Sequence, residues 1–191
     1  MHYILNILFI AVLISGCNSG YSPKPRGYFR IDLPEKKYRQ YNTECPFTFL
    51  YPVYAEIRKQ KKDSCWFDIA FPKLNGRIYL SYKPVSGNLN KYLEDSHTLI
   101  HKHTIKADAI KEKLFIKDTS RVYGILFEIK GNVASSIQFH LTDSTRHFIR
   151  GALYFNAVPN KDSLAPVLNF IKKDIILLIE SFEWKNKGNQ K

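Results

Sequence analysis

Apolar positions along this 191-residue chain change their period several times, and each change marks an element. Residues 4–14 form an almost unbroken apolar run, interrupted only by Asn6. Spanning a bilayer takes about 20 such residues; a secretory signal has an apolar core of about 7–15, which this run matches. Period-two patterns follow and predict strands. The first is residues 27–33 (GYFRIDL), stopped by Pro34, and the next is 47–51, which Pro52 forces to exit. Residues 66–71 and 77–82 form a pair around the turn-rich stretch 72–76. From Asn88 the period lengthens: Leu89, Tyr92, Leu93, Leu99, Ile100 and, if the helix runs on, Ala107 trace one stripe.

The second half returns to strands. Residues 122–130 place Tyr123, Ile125, Phe127 and Ile129 on one face, and a turn at Gly131-Asn132 leads to 135–141 with Ile137, Phe139 and Leu141 inward. A turn at 142–145 (TDST) then starts the strand 147–155 and completes a meander. The last element is an amphipathic helix. Asp162 or Ser163 is its expected cap, Pro166 falls in its first turn, and Leu164, Val167, Leu168, Ile171, Ile175, Leu178, Ile179 and Phe182 trace its apolar face. Strands with two amphipathic helices predict a single α+β domain, a mainly antiparallel sheet covered by helices. The order of elements resembles the PsbP/Mog1 sandwich, an analogy that carries no function.

The end of the first apolar run gives the chain its expected destination. Leu13-Ile14-Ser15-Gly16-Cys17 sets a branched apolar residue, then two small residues, before a thiol. Lipoprotein processing needs that order: the thiol receives a diacylglyceryl group, and small residues let the peptidase reach the bond between Gly16 and Cys17. The start lacks Lys and Arg, a departure from the usual positive leader. The expected organisation is a signal peptide at 1–16, a lipidated Cys17 with a Ser/Gly/Pro-rich tether to residue 26, a domain over 27–184, and a polar tail at 185–191. No acidic cluster follows Cys17, which favours a lipid-anchored position in the outer membrane facing the periplasm.

Cleavage leaves 175 of the 191 residues, ample for one core. The 45 % hydrophobic and 14 % aromatic content points to a packed globule. A net charge of +12, with local runs at 36–39 (KKYR) and 58–62 (RKQKK), calls for anionic surroundings. Export excludes nucleic acid as the natural partner. It leaves lipid head groups, polysaccharide and acidic protein faces. Lys24, Arg26 and Arg30, together with Arg58, Lys59, Lys61 and Lys62, form the expected interaction surface; a tether and a solvated loop are the competing reading. Setting Cys17 aside leaves Cys45 and Cys65. Each is in phase with the apolar side of a strand, which suits a disulfide and equally suits two buried thiols.

Chemistry is sparse. Glu94, His97 and His101 share a flank of the first helix and form the best group of metal-ligating types, competing with a plain solvated flank. His103 falls on the apolar stripe as a core histidine. Asp143, Ser144 and His147 are close in sequence but occupy a hairpin turn, where Asp and Ser are expected to bond to backbone. No nucleophile elbow or phosphate-binding loop is present. No cofactor, small-molecule substrate or enzymatic activity is expected.

Five segments then resemble one family: PKPRGYFRIDLP (23–34), CPFTFLYPVYA (45–55), CWFDIAFP (65–72), NGRIYLSYK (75–83) and HFIRGALYFNAVPNKDS (147–163) leading into Pro166-Val167. With the lipoprotein cysteine, they are similar to the gliding-motility lipoprotein GldD family across nearly the whole mature chain. The resemblance implies a lipoprotein required for gliding and linked to type IX secretion in the cell envelope, working as a non-enzymatic accessory or assembly factor beside other motility or secretion proteins. Only Cys17 carries over as a functional residue. The competing reading is a periplasmic ligand- or metal-binding protein, or a metal-dependent enzyme, that uses the Glu94/His97/His101 face.

Overall fold

The computed structural model describes residues 31–60, 65–102 and 106–185. The chain divides into two compact units, Met1–Ile31 and Asp32–Lys191, and the elements described here belong to the second. In chain order they are β1 Tyr38–Tyr41, β2 Phe47–Pro52, β3 Glu56–Lys59, β4 Trp66–Phe71, β5 Gly76–Pro84, α1 Leu89–His101, β6 Ala107–Lys117, β7 Val122–Gly131, β8 Ile137–Thr142, β9 His147–Phe155, α2 Lys161–Glu180 and β10 Glu183–Trp184. Seven strands make one sheet in the order β3-β4-β5-β9-β8-β7-β6, and β1, β2 and β10 make a smaller one. Every pairing in the large sheet is antiparallel, and β5 meets β9 in unbroken register from Gly76↔Phe155 to Pro84↔His147. This pairing unites the two halves of the sequence. The class is α+β, as the patterning predicts.

Strand alternation gives the large sheet two faces, and both are covered. On one face, Phe67, Ile69, Ile78, Leu80, Leu126, Ile137, Phe139 and Leu141 join α2 residues Ile171, Ile175 and Leu178 and the small sheet's Phe47 and Phe49 in the main core. Aromatic rings dominate where the sheets meet: Phe49 and Phe182 stack with centroids 6.2 Å apart, and Tyr41 lies 4.7 Å from Phe67. Each such pair adds about 0.5–1.5 kcal/mol beyond its buried area. Gly151 has no side chain because the Phe139 ring lies over it; an added Cβ would fall 2.2 Å from Phe139 Cζ. The opposite face carries α1, where Ile100 packs with Phe127, Ile129 and Val133 in a second core.

Several expectations need correction. The anticipated strand at 27–33 is not there in its described part, since residues 31–37 have no regular structure. The first strand is β1, which begins within the stretch taken as a basic run. Arg39 pairs with Tyr51 across β1 and β2, and its guanidinium stands 4.8 Å from the Tyr51 ring, so its charge conceals a strand position. Strands β3 and β6 were not anticipated either. They are the two sheet edges, where one side of the backbone is unpaired and charged side chains are the usual protection. The helical stripe does not continue to Ala107, which opens β6; His103 lies outside the described residues. Asn160 caps α2, its side chain accepting from the Ser163 amide at 3.1 Å, in place of Asp162 or Ser163. Pro166 therefore lies inside the helix, beyond its first turn, and α2 forgoes one backbone bond there.

Cys45 and Cys65 are bonded, with Cα atoms 5.6 Å apart and a sequence separation of 20. The bridge leads into β2 on one side and β4 on the other, and so joins the two sheets. Closing a loop of this length stabilises a fold by about 3 kcal/mol, mainly by restricting the unfolded chain. The double variant Cys45→Ala/Cys65→Ala is expected to lose that much in urea unfolding. An unchanged midpoint, in the variant or in wild-type protein under reductant, would show that the staple is dispensable.

Candidate functional site

Two polar clusters interrupt the apolar interior. The first clamps the start of the domain onto α2. Asp174, 2 % exposed, accepts hydrogen bonds from Lys36 Nζ at 2.5 Å, Tyr54 OH at 2.5 Å and Tyr38 OH at 2.9 Å. Lys36 Nζ also donates to the Phe170 carbonyl at 2.9 Å and stands 3.5 Å from the centre of that residue's ring. Burial, then the bond to Asp174, pushes the Tyr38 phenol up to about 12, and the same causes in the same order raise Tyr54. Burial lowers Lys36 despite its carboxylate partner. With both phenols raised, their contribution to stability is complete below pH 10 and is lost as pH climbs above it. The residues fit a structural clamp, which fixes the point where the chain enters the domain.

The second cluster lies under α1. Gln138 and His140 alternate with the core residues Ile137, Phe139 and Leu141, so they face the helix, and they are 1 % and 4 % exposed. Ser96 reaches down from α1 and is 2 % exposed. Among the described residues, Ser96 Oγ, Gln138 Nε2 and His140 Nδ1 have no hydrogen-bond partner. Next to them on β9, half-buried Arg150 donates through Nη2 to Gln138 Oε1 at 2.5 Å. Burial first, then the charges of His97 and Arg150, drive the His140 pKa down to about 4. It is therefore neutral at ordinary pH. Burial, the larger cause, also lowers the Arg150 pKa against an opposing contribution from Tyr154. Alongside, a cleft of about 330 Å³ opens between α1 and strands β4, β5 and β9.

Among the described residues, those singled out from the sequence are not gathered into one site. The His97 ring turns edge-on to Phe127, with centroids 5.7 Å apart, and approaches His140 at 6.4 Å. It serves as a wall over the second core. Among the described residues no three of His, Cys, Asp and Glu are placed to hold a metal ion, so Glu94, His97 and His101 do not form the metal face considered above. Arg58 is on the edge strand β3 and pairs with Glu56 at 2.7 Å; Lys59 is exposed beside it. Cys17, Lys24, Arg26, Arg30, Lys61 and Lys62 lie outside the described residues. The Asp143 carboxylate accepts from the backbone amides of Thr145, Arg146 and His147 at 3.0, 2.7 and 2.8 Å. Burial pushes that carboxyl up, but the three amides outweigh it and hold its pKa below the usual value. It is a turn, with no nucleophile in line with a base. Ser96, Gln138, His140 and Arg150 were not among the residues singled out from the sequence. Their signal was available: once α2 takes one face of the sheet, the apolar stripe of α1 has only the other to bury against.

Fold and polar groups together define a disulfide-bonded α+β domain, one sheet clad on both faces, with a basic cleft under its first helix. The family model for the gliding motility lipoprotein GldD matches residues 18–184, and the chain belongs to that family. It is thus a motility-related lipoprotein. No curated protein matches the chain. Among solved structures it is similar to the solution structure of cyanobacterial PsbP (CyanoP) from Synechocystis sp. PCC 6803, at 12 % identity and a TM-score of 0.49, over 80 % of this chain and 95 % of that one. Among the described residues no helix is long and apolar enough to cross a membrane.

Proposed function

We propose that this lipoprotein is a non-enzymatic accessory or assembly factor of the envelope machinery that drives gliding and type IX protein secretion. It is held by acyl chains on Cys17 and works through contacts with other envelope proteins. The observation that carries this reading is the family match over residues 18–184. The leader ending in Leu13-Ile14-Ser15-Gly16-Cys17 supplies the anchor, and two or three acyl chains make such attachment effectively permanent. Outer-membrane attachment facing the periplasm suits the absence of an acidic cluster after Cys17. The exposed pair Arg58 and Lys59 on edge strand β3 offers acidic partner surfaces positive charge, and Lys24, Arg26, Arg30, Lys61 and Lys62 carry more of it along the sequence.

Crosslinking in living cells followed by pull-down of the tagged chain tests the reading. Recovery of gliding or secretion components is expected, and repeated recovery of the bait alone would remove it. Cys17→Ala is expected to release the protein from the membrane fraction and abolish gliding. Normal gliding by cells that carry only the released form would refute the anchor's role.

A further inference from the structure

Charged groups that leave water normally find partners, and unpaired ones mark places where something else binds. The cleft between α1 and the sheet contains such a group. Half-buried Arg150 makes one hydrogen bond, to the neutral amide of Gln138, and no ion pair among the described residues. One edge of its guanidinium is thereby fixed, leaving other N–H groups for a second acceptor. Lys83 and Lys102 line the same cleft, against a single acidic residue, Asp95. Ser96 lines it too, and its hydroxyl is buried with no partner among the described residues. The walls are apolar: Trp66 from β4, Tyr92 and Leu99 from α1, and Phe148 from β9. Lys83 Nζ is held 4.7 Å from the centre of the Tyr92 ring, at the rim.

From this arrangement we infer that the cleft beneath α1 is a binding site for a small organic carboxylate with an aromatic or aliphatic body. The planar guanidinium of Arg150 is pre-set for a carboxylate in a two-pronged pair, which a lysine does not reproduce. Trp66, Tyr92 and Phe148 take up the apolar body. A volume of about 330 Å³ is at the small end of ligand pockets, so the ligand has the size of one or two amino-acid residues. Asp95 on the rim disfavours multiply charged anions. A diffuse basic surface would have no such enclosed walls and no buried orphan hydroxyl.

The site is tested on the full chain purified in non-ionic detergent, by calorimetry and by Trp66 fluorescence with Trp184→Phe as background. Three probes are compared: N-acetyl-phenylalanine, its neutral amide, and inorganic phosphate. Saturable binding of the acid is expected, with at least tenfold weaker binding of both the amide and phosphate. Arg150→Lys should weaken the acid at least tenfold while keeping the charge. Because that variant perturbs a half-buried position, Lys83→Gln at the rim is measured as well and should weaken the acid about threefold with unchanged thermal unfolding. Equal binding of phosphate would overturn the carboxylate assignment and leave a plain anion site. Equal binding of the amide would overturn the role of Arg150. No saturable binding at tens of millimolar would mean that water alone satisfies Ser96 and Arg150, and the inference would fail.

Discussion

Replacing Asp174 by alanine is expected to lower the unfolding free energy by about 3 kcal/mol. The carboxylate is buried on α2 and receives Lys36 and two tyrosine hydroxyls, so its loss strands a cation and two phenols together. Breaking one partner of a buried pair costs about 3–5 kcal/mol. The lower end applies because the Lys36 side chain keeps 28 % of its exposure and regains some hydration. The double variant Lys36→Met/Asp174→Leu should recover most of the loss, since removing both charges also removes their desolvation cost. Urea unfolding of the wild type, the single and the double variant decides the matter. A loss under 1 kcal/mol in the single variant would mean that the clamp is incidental to the fold.

The second large effect is in acid. With its folded pKa near 4 against an ordinary value of 6.5, His140 is neutral in the folded protein and protonated in the unfolded chain over that interval. The depressed value means that its contribution is complete above pH 6.5 and is lost as pH falls from there to about 4. A displacement of that size corresponds to a loss on the order of 3 kcal/mol. The groups facing it are His97 on α1 and Arg150 on β9, both of which disfavour a positive charge on His140. Asp143 contributes in the same direction only at lower pH, near the ordinary carboxylate range. Urea midpoints measured from pH 7.5 to 4 should therefore fall, and His140→Phe, which keeps the stacking against Phe148, should flatten the curve. The same slope in wild type and variant would assign the acid sensitivity to other groups.

What could be foreseen of the site follows the same physics. Strand alternation showed that Ile137, Phe139 and Leu141 point inward, and by default it sent Gln138 and His140 to water. That default assumes one solvated face, common for antiparallel sheets, and it fails when a helix covers the second face. The metal reading of Glu94, His97 and His101 failed for a related reason. Spacing along a helix shows which residues share a flank, not that the His97 ring stands edge-on to Phe127.

The apolar run ahead of Cys17, the period changes and the in-phase cysteines were legible because each is written in consecutive residues: local spacing alone determined the expected anchor, the α+β class, both helices and the strands from β7 to β9. Edge strands β1, β3 and β6 escaped because their stability comes from a neighbour's backbone, and their own side chains read as charged surface. The assembled chain alone decided that β5 lies beside β9, that Cys45 meets Cys65 across two sheets, that Lys36 reaches Asp174 across 138 residues, and that Arg150 bonds the Gln138 amide in a cleft beneath α1. Such contacts depend on which distant surface closes over a residue, and no local pattern encodes that.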